Sequence, residues 1–168
     1  RRDVFVNLAC GSGTLLIERL AWGPARIAIG CDIDARALAC ARENVAASRH
    51  TAPLWQCDAR ASPLPDRSVD AMCADLPFGH LVGSHEENVR LYPRLLAEAA
   101  RVAKPGARFV LITHEVRLME SLLDAGTDTD GRGEALPRPY SDGPWIVEKV
   151  LRVELGGLYP RIFVLRRV

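Results

Sequence analysis

Between residues 3 and 125, short apolar runs alternate with stretches of helical spacing, and this alternation constrains the chain more than any other feature. "DVFVNL" leads to "TLLIERLAW", "ARIAIGC" leads to "ARALACARENVAAS", and "PLWQC", "VDAMCA" and "RFVLIT" continue the series. Short runs without polar alternation predict strands covered on both faces, and intervening helices predict crossovers. The order therefore predicts an α/β fold with a parallel sheet and helices on both faces. Two more helices are expected over 88–103 and 115–125. Pro93 should mark the first turn of the former or a kink, and Lys104-Pro105-Gly106 reads as a turn.

The last quarter departs from the pattern. Residues 126–144 are polar and rich in glycine and proline, which predicts a long exposed loop. "WIVEKVLRVEL" and "LYPRIFVLRRV" then read as two strands joined at Gly156-Gly157, a hairpin signal. Leu151, Val153 and Leu155 alternate with Arg152 and Glu154, so the first strand should keep one wet face. "IFVLR" is apolar at consecutive positions and should be covered on both. An antiparallel final strand inserted inside the sheet, with its hairpin partner at the edge, satisfies both patterns. A plain dinucleotide-binding fold would continue with parallel strands.

With 168 residues, 48% apolar and 26% charged, the chain suits a single globular domain spanning residues 1–168. No run approaches the ~20 apolar residues of a membrane helix, so no membrane association is expected. The net charge is +1, and all but two of the 22 basic residues are scattered arginines. That is a weak footprint for a nucleic-acid binder acting alone. Five cysteines without a C-x-x-C pair favour neither a disulfide framework nor a zinc site. No metal is expected, and a reducing cytoplasm is. The chain starts without methionine and is expected to be a fragment of a longer protein.

Four motifs fall at strand ends. In Asn7-Leu8-Ala9-Cys10-Gly11-Ser12-Gly13-Thr14, two glycines let the backbone turn tightly and approach a ligand, before a helix start with unpaired N–H groups. A simple βα turn would look the same, and Leu16 replaces the third glycine of the dinucleotide fingerprint. Asp32 follows Gly11 by 21 residues and is placed to accept ribose hydroxyls, with Ile33 beside an adenine face. Asp34 is the better helix cap. Gln56-Cys57-Asp58-Ala59 offers an acceptor and a backbone N–H to an adenine edge, or is only a loop.

The fourth motif is Asp75-Leu76-Pro77-Phe78. The Asp75 side chain and the Leu76 carbonyl can both accept from one –NH2 group, Pro77 stiffens the turn, and Phe78 offers a flat face for a base. Two acceptors on a planar amine localise its nitrogen lone pair for attack on an electrophilic methyl. A capped β-turn is the plain alternative. All four motifs point to the carboxyl edge of the sheet, where open α/β sheets bind ligands.

Together, "NLACGSGTLLIE", "GCDIDARALACARENV", "QCDA" and "DLPFG" resemble the class I S-adenosylmethionine-dependent methyltransferases. More narrowly, they resemble the THUMP-associated RNA guanine-N2 methyltransferases that modify tRNA. The likeness runs from residue 4 through "ELGGLYPRIFVLRR" and includes "GSHEENVRLYPRLLAEAARV". It implies a Rossmann-like, seven-stranded sheet with an antiparallel last strand. It also implies a separate N-terminal RNA-binding domain and S-adenosylmethionine as cofactor.

The resemblance assigns the loop of Asn7, Ala9, Cys10, Gly11, Gly13 and Thr14 to that cofactor, with Cys10, Gly11 and Gly13 at its methionine end. Asp32 would hold the ribose, Ile33 would touch adenine, and Asp58 with Ala59 would read its edge. Asp75, Leu76, Pro77 and Phe78 would hold the target amine, with Asp75 also bordering the cofactor. Asn7 departs from the usual aspartate, and Leu76 from the usual proline. The other readings are methylation of adenine or of protein glutamine, and a subunit of this fold that binds without catalysis. An NAD-dependent dehydrogenase is disfavoured by the missing glycine and the antiparallel tail. His80 and His85 are expected in the loop beyond the amine site, and His114 in a structural role.

Overall fold

Val4–Leu8 (β1) is buried along its whole length, as the central strand of a sheet covered on both faces must be. In the computed structural model, which describes residues 3–77, 84–123, 143–154 and 156–168, it is followed by helix Thr14–Trp22 (α1), strand Ile27–Asp32 (β2) and helix Ala35–Ala47 (α2). Leu54–Gln56 (β3) and Val69–Asp75 (β4) precede the long helix His85–Val102 (α3). Ala103–Thr113 (β5), helix Val116–Leu122 (α4), Trp145–Arg152 (β6) and Arg161–Arg167 (β7) complete the series.

The seven strands form one sheet in the order β3-β2-β1-β4-β5-β7-β6. β1 pairs in parallel with β2 and β4, and the parallel pairing extends to β3 and β5. β7 runs antiparallel between β5 and β6. The inserted final strand with an edge partner is the arrangement expected from the sequence. Gly156 and Gly157 both take positive φ (57° and 83°), as a two-residue hairpin turn requires.

Two apolar layers hold the sheet. On one side Phe5, Ala28 and Ala71 meet Leu16 and Ile17 of α1 and Val45 of α2. On the other, Val6, Met72, Phe109 and Phe163 meet Tyr92, Leu95 and Ala99 of α3 and Met119 of α4. The Trp145 ring packs on Phe109 with centroids 5.8 Å apart, and its indole N–H donates to the Leu96 carbonyl at 3.1 Å.

Four local features differ from the sequence reading. α3 begins at His85, because Ser84 and Glu87 form a capping box: the Ser84 hydroxyl accepts from Glu87 N–H, and the Glu87 carboxylate accepts from Ser84 N–H. Pro93 consequently sits inside the helix, on its exposed side, so the carbonyl it leaves without a donor can turn to water. The expected Lys104-Pro105-Gly106 turn is an irregularity within β5, where pairing jumps from Val69↔Ala103 to Ala71↔Arg108 and Gly106 takes φ 78°. In β6 a bulge at Glu148 switches the pleat, so Trp145, Val147 and then Val150 face the core. Leu151 is thereby turned out and 37% exposed, and the alternation read from the sequence fails there. The long loop expected over 126–144 lies outside the described residues up to 142.

Candidate active site

Parallel pairing brings the carboxyl ends of β1, β2, β3 and β4 to one edge, and the strand order reverses between β1 and β4. A crevice at such a switch point is where open α/β sheets bind ligands. Here it is a cavity of about 760 Å³. Ala9, Gly11, Asp32, Ile33, Asp58 and Ala59 line one part of it, and Asp75, Leu76 and Pro77 another.

The loop after β1 takes its shape from alternating left-handed residues, Ala9 (φ 50°), Gly11 (φ 53°) and Gly13 (φ 84°). This path turns Gly11 N–H to Asp32 and Gly13 N–H back to the Cys10 carbonyl at 2.8 Å, so these donors hold the loop's own shape. Ala9 carries a Cβ where the left-handed region disfavours one, a strain of ~1–2 kcal/mol that the surroundings must hold. Cys10 N–H donates to the Cys31 carbonyl at 2.8 Å, and Asn44 Nδ2 donates to the Ser12 carbonyl at 3.0 Å. Gly30 allows this close packing, since a Cβ there would lie 2.7 Å from Leu54 Cδ2 and 3.1 Å from Cys10 Sγ.

Asp32 locks the loop directly. Its Oδ2 accepts from Gly11 N–H at 2.7 Å and its Oδ1 from Asp34 N–H at 2.9 Å. Each carboxylate oxygen keeps acceptor capacity for a hydroxyl. Asp34 caps α2 by accepting from Arg36 N–H at 2.8 Å, as its position in the sequence indicated. Ile33 is 63% exposed, a large aliphatic side chain held out at the cavity rather than in the core. Asp58 accepts from its own turn at Arg60 N–H and forms a fork with Arg60 Nε and Nη2, whose hydrogen bonds lower its carboxyl pKa.

Not every expected residue lines the cavity. Asn7 is fully buried beneath it, with Nδ2 donating to the Leu8 and Cys73 carbonyls at 3.3 and 3.4 Å. Cys10 is buried and its thiol pKa is pushed up to about 12 by burial, which leaves it a small apolar filler. Gly13 supports the loop from behind against Ala41, and Thr14 begins α1 with its hydroxyl 3.3 Å from that of Ser12. Phe78 and His80 lie outside the described residues.

At the other wall, Asp75 ends β4 at the cavity, and desolvation raises its pKa while the nearby His114 acts in the opposite sense. Leu76 N–H extends the sheet to the Ile112 carbonyl at 3.0 Å. His85 is the first residue of α3, not a loop residue, and its Nδ1 lies 2.9 Å from Glu115 Oε2. Glu87, Asn88, Leu91 and Leu95 of α3 complete the cavity. The sequence reading assigned none of them a role. Their signal was Ser84-x-x-Glu87, which starts the helix early enough to aim that face at the site. Among the described residues no group of His, Cys, Asp and Glu is arranged to hold a metal ion, and no helix is long and apolar enough to cross a membrane.

The UPF0020 model, described as the RMKL-like methyltransferase domain, matches residues 1–132. The chain belongs to this family. The methyltransferase resemblance and the Rossmann-like fold read from the motifs are thereby borne out. This methyltransferase domain is 29% identical to a Mus musculus protein named tRNA (guanine(6)-N(2))-methyltransferase THUMP3, over 98% of the chain and 32% of that relative. It is 30% identical to the tRNA (guanine(6)-N2)-methyltransferase of Thermus thermophilus, over 94% of the chain and 42% of the relative. The crystal structure of TrmN from Thermus thermophilus superposes with a TM-score of 0.78 at 28% identity, covering 99% of this chain and 44% of that one. The domain thus spans less than half the length of these relatives.

Proposed function

We propose that this domain transfers a methyl group from S-adenosylmethionine to the exocyclic 2-amino group of a guanosine in RNA, tRNA above all. One observation carries the reading: the Gly11 loop held by Asp32 and the Asp75-Leu76-Pro77 wall face a single cavity. The named activities of the mouse and Thermus relatives support the choice of guanine and tRNA.

The residues present fit the cofactor. Ala9 and Gly11 bring the loop backbone to the cavity wall without a large side chain, Asp32 suits ribose hydroxyls, and exposed Ile33 suits a flat base. When bound, the cofactor supplies an electrophilic methyl on a positively charged sulfur. The Asp75 carboxylate and the Leu76 carbonyl accept the two amine hydrogens and aim the nitrogen lone pair. Positioning of this kind contributes up to ~7–11 kcal/mol to lowering a barrier. The amine becomes strongly acidic only on methylation, so Asp75 takes or relays the proton after attack. Selection of the RNA is assigned to a domain beyond these residues, which fits the net charge of +1. A cytoplasmic location is part of the proposal, supported by five cysteines that form no C-x-x-C pair.

The test has two stages. Calorimetric titration with S-adenosylmethionine, with NAD as control, should give saturable binding of the sulfonium compound alone. Transfer of labelled methyl to guanosine-containing tRNA, followed by nucleoside analysis, should then yield N2-methylguanosine. A folded protein that binds NAD instead, or that labels adenosine, would overturn the reading.

A further inference from the structure

The Pro77 carbonyl accepts two hydrogen bonds from one face of α3. Tyr92 Oη donates to it at 2.8 Å, and Asn88 Nδ2 donates at 3.1 Å. Asn88 and Tyr92 are one helical turn apart, and both are buried.

The hydrogen positions along this chain follow from donor counting. The Pro77 carbonyl can only accept, so Tyr92 spends its one proton there and the Thr113 hydroxyl, which accepts Glu115 N–H at 2.9 Å, turns its own proton to Tyr92 Oη, 2.7 Å away. Burial pushes the Tyr92 hydroxyl pKa up to about 12, so it remains a donor across the neutral range.

From this arrangement we propose that Tyr92 and Asn88 are positioning residues for methyl transfer, clamping the Pro77 carbonyl so that the target amine meets only Asp75 and the Leu76 carbonyl. The inference rests on the proposed amine-methylation reading. A carbonyl oxygen has two lone pairs, and Pro77 uses both on α3. It is thereby withdrawn as a third acceptor that would compete for the amine hydrogens. The Leu76–Pro77 peptide is held between two fixed points, the Leu76 N–H on Ile112 and the Pro77 carbonyl on α3. The proline ring removes much of the remaining backbone freedom.

The test compares wild type with Tyr92→Phe and Asn88→Ala, reading amide hydrogen exchange at Leu76 by NMR and kinetics on tRNA. The clamp requires faster exchange at Leu76 in both variants, with amides in the middle of β4 unchanged. It also requires kcat to fall by about tenfold or more, since a small misplacement at a reacting centre is enough for that, while the dissociation constant for S-adenosylmethionine stays within about twofold. A purely structural Tyr92 would lower the melting temperature but leave kcat per folded molecule unchanged, and that result overturns the proposal. If Tyr92→Phe does not fold, Asn88→Ala decides by the same readings. If wild type binds the cofactor but methylates no guanosine, the proposed function fails, and Leu76 exchange alone decides the clamp: unchanged protection in the folded variants overturns it.

Discussion

The Asp32 carboxylate, at the end of β2, accepts the Gly11 N–H at 2.7 Å and so holds the glycine loop that follows β1. The same side chain fixes the start of the loop to α2 through Asp34 N–H at 2.9 Å. A residue read from the sequence as a candidate ribose ligand is therefore also what holds the loop beside it.

Replacing Asp32 should affect both roles. Asp32→Ala removes a carboxylate acceptor from two backbone donors, and hydrogen bonds to charged groups contribute ~1.5–3 kcal/mol each, less where water can reach the donors left behind. We expect stability to fall by ~1–3 kcal/mol and affinity for S-adenosylmethionine to fall by at least about tenfold. Urea denaturation and calorimetry on the same samples measure the two effects. Wild-type affinity in the variant would remove Asp32 from the cofactor site.

Asn7 gives a prediction of opposite character. Its amide group donates toward two carbonyls, and the residue is fully buried. Asn7→Asp would place a carboxylate, which cannot donate when ionised, against those same oxygens. The variant should be less stable than wild type by ~1–3 kcal/mol at neutral pH. Burial raises such a carboxyl's pKa, so protonation at low pH restores a donor and the deficit should shrink as pH falls. Denaturation midpoints at pH 4 and pH 7 check this, and an equal deficit at both would remove the electrostatic explanation.

Glu98 anchors the segment after β3 that carries Asp58 and Ala59. Its carboxylate accepts from Ser62 N–H and Oγ, each at 2.7 Å, and from Arg101 Nε and Nη2 at 2.8 and 2.6 Å. The Arg101 hydrogen bonds, followed by those from Ser62 and working against desolvation, lower its pKa from an ordinary 4.5 to about 2. A lowered carboxyl pKa contributes stability that is present above the unfolded value and lost as pH falls through the folded one. The window is therefore between about 4.5 and about 2, and the contribution is ~3 kcal/mol. Glu98→Gln should flatten the wild-type fall in stability across that window, as measured by denaturant titrations at several pH values. An unchanged pH slope would show that other carboxylates dominate.

How far the sequence could be read depended on whether a pattern was local. Apolar runs such as Val4–Leu8 report burial on both faces within a few residues, so the parallel strands and the inserted β7 were legible. Asp32, Asp58 and Asp75 were legible because a strand end fixes which edge of the sheet they occupy. Asn88 and Tyr92 were not, because buried residues one turn apart on a helix look like ordinary core positions until Ser84 sets where the helix begins. The bulge at Glu148 was also hidden, since one extra residue reverses the pleat without changing the composition. Ring closure between distant elements, as in Tyr92 to Pro77, leaves no periodic trace at all.

Asp75 carries the last prediction. Desolvation raises its pKa, while only its ionised form accepts without also offering a proton. The fraction of enzyme ready to receive an amine hydrogen therefore rises with pH through the Asp75 titration and is lost below it. The wild-type kcat profile should show an acid limb displaced upward from the ordinary aspartate range. Asp75→Asn keeps one oxygen acceptor but does not titrate, so its profile should lose that limb while kcat falls by ~10²–10⁴. Cofactor affinity should change far less, as the proposed assignment of the cofactor to Asp32 and the glycine loop requires. The pH dependence of single-turnover methylation, measured with saturating S-adenosylmethionine, separates the two effects. An Asp75→Asn variant that retains both the acid limb and wild-type turnover would move the amine site away from Asp75.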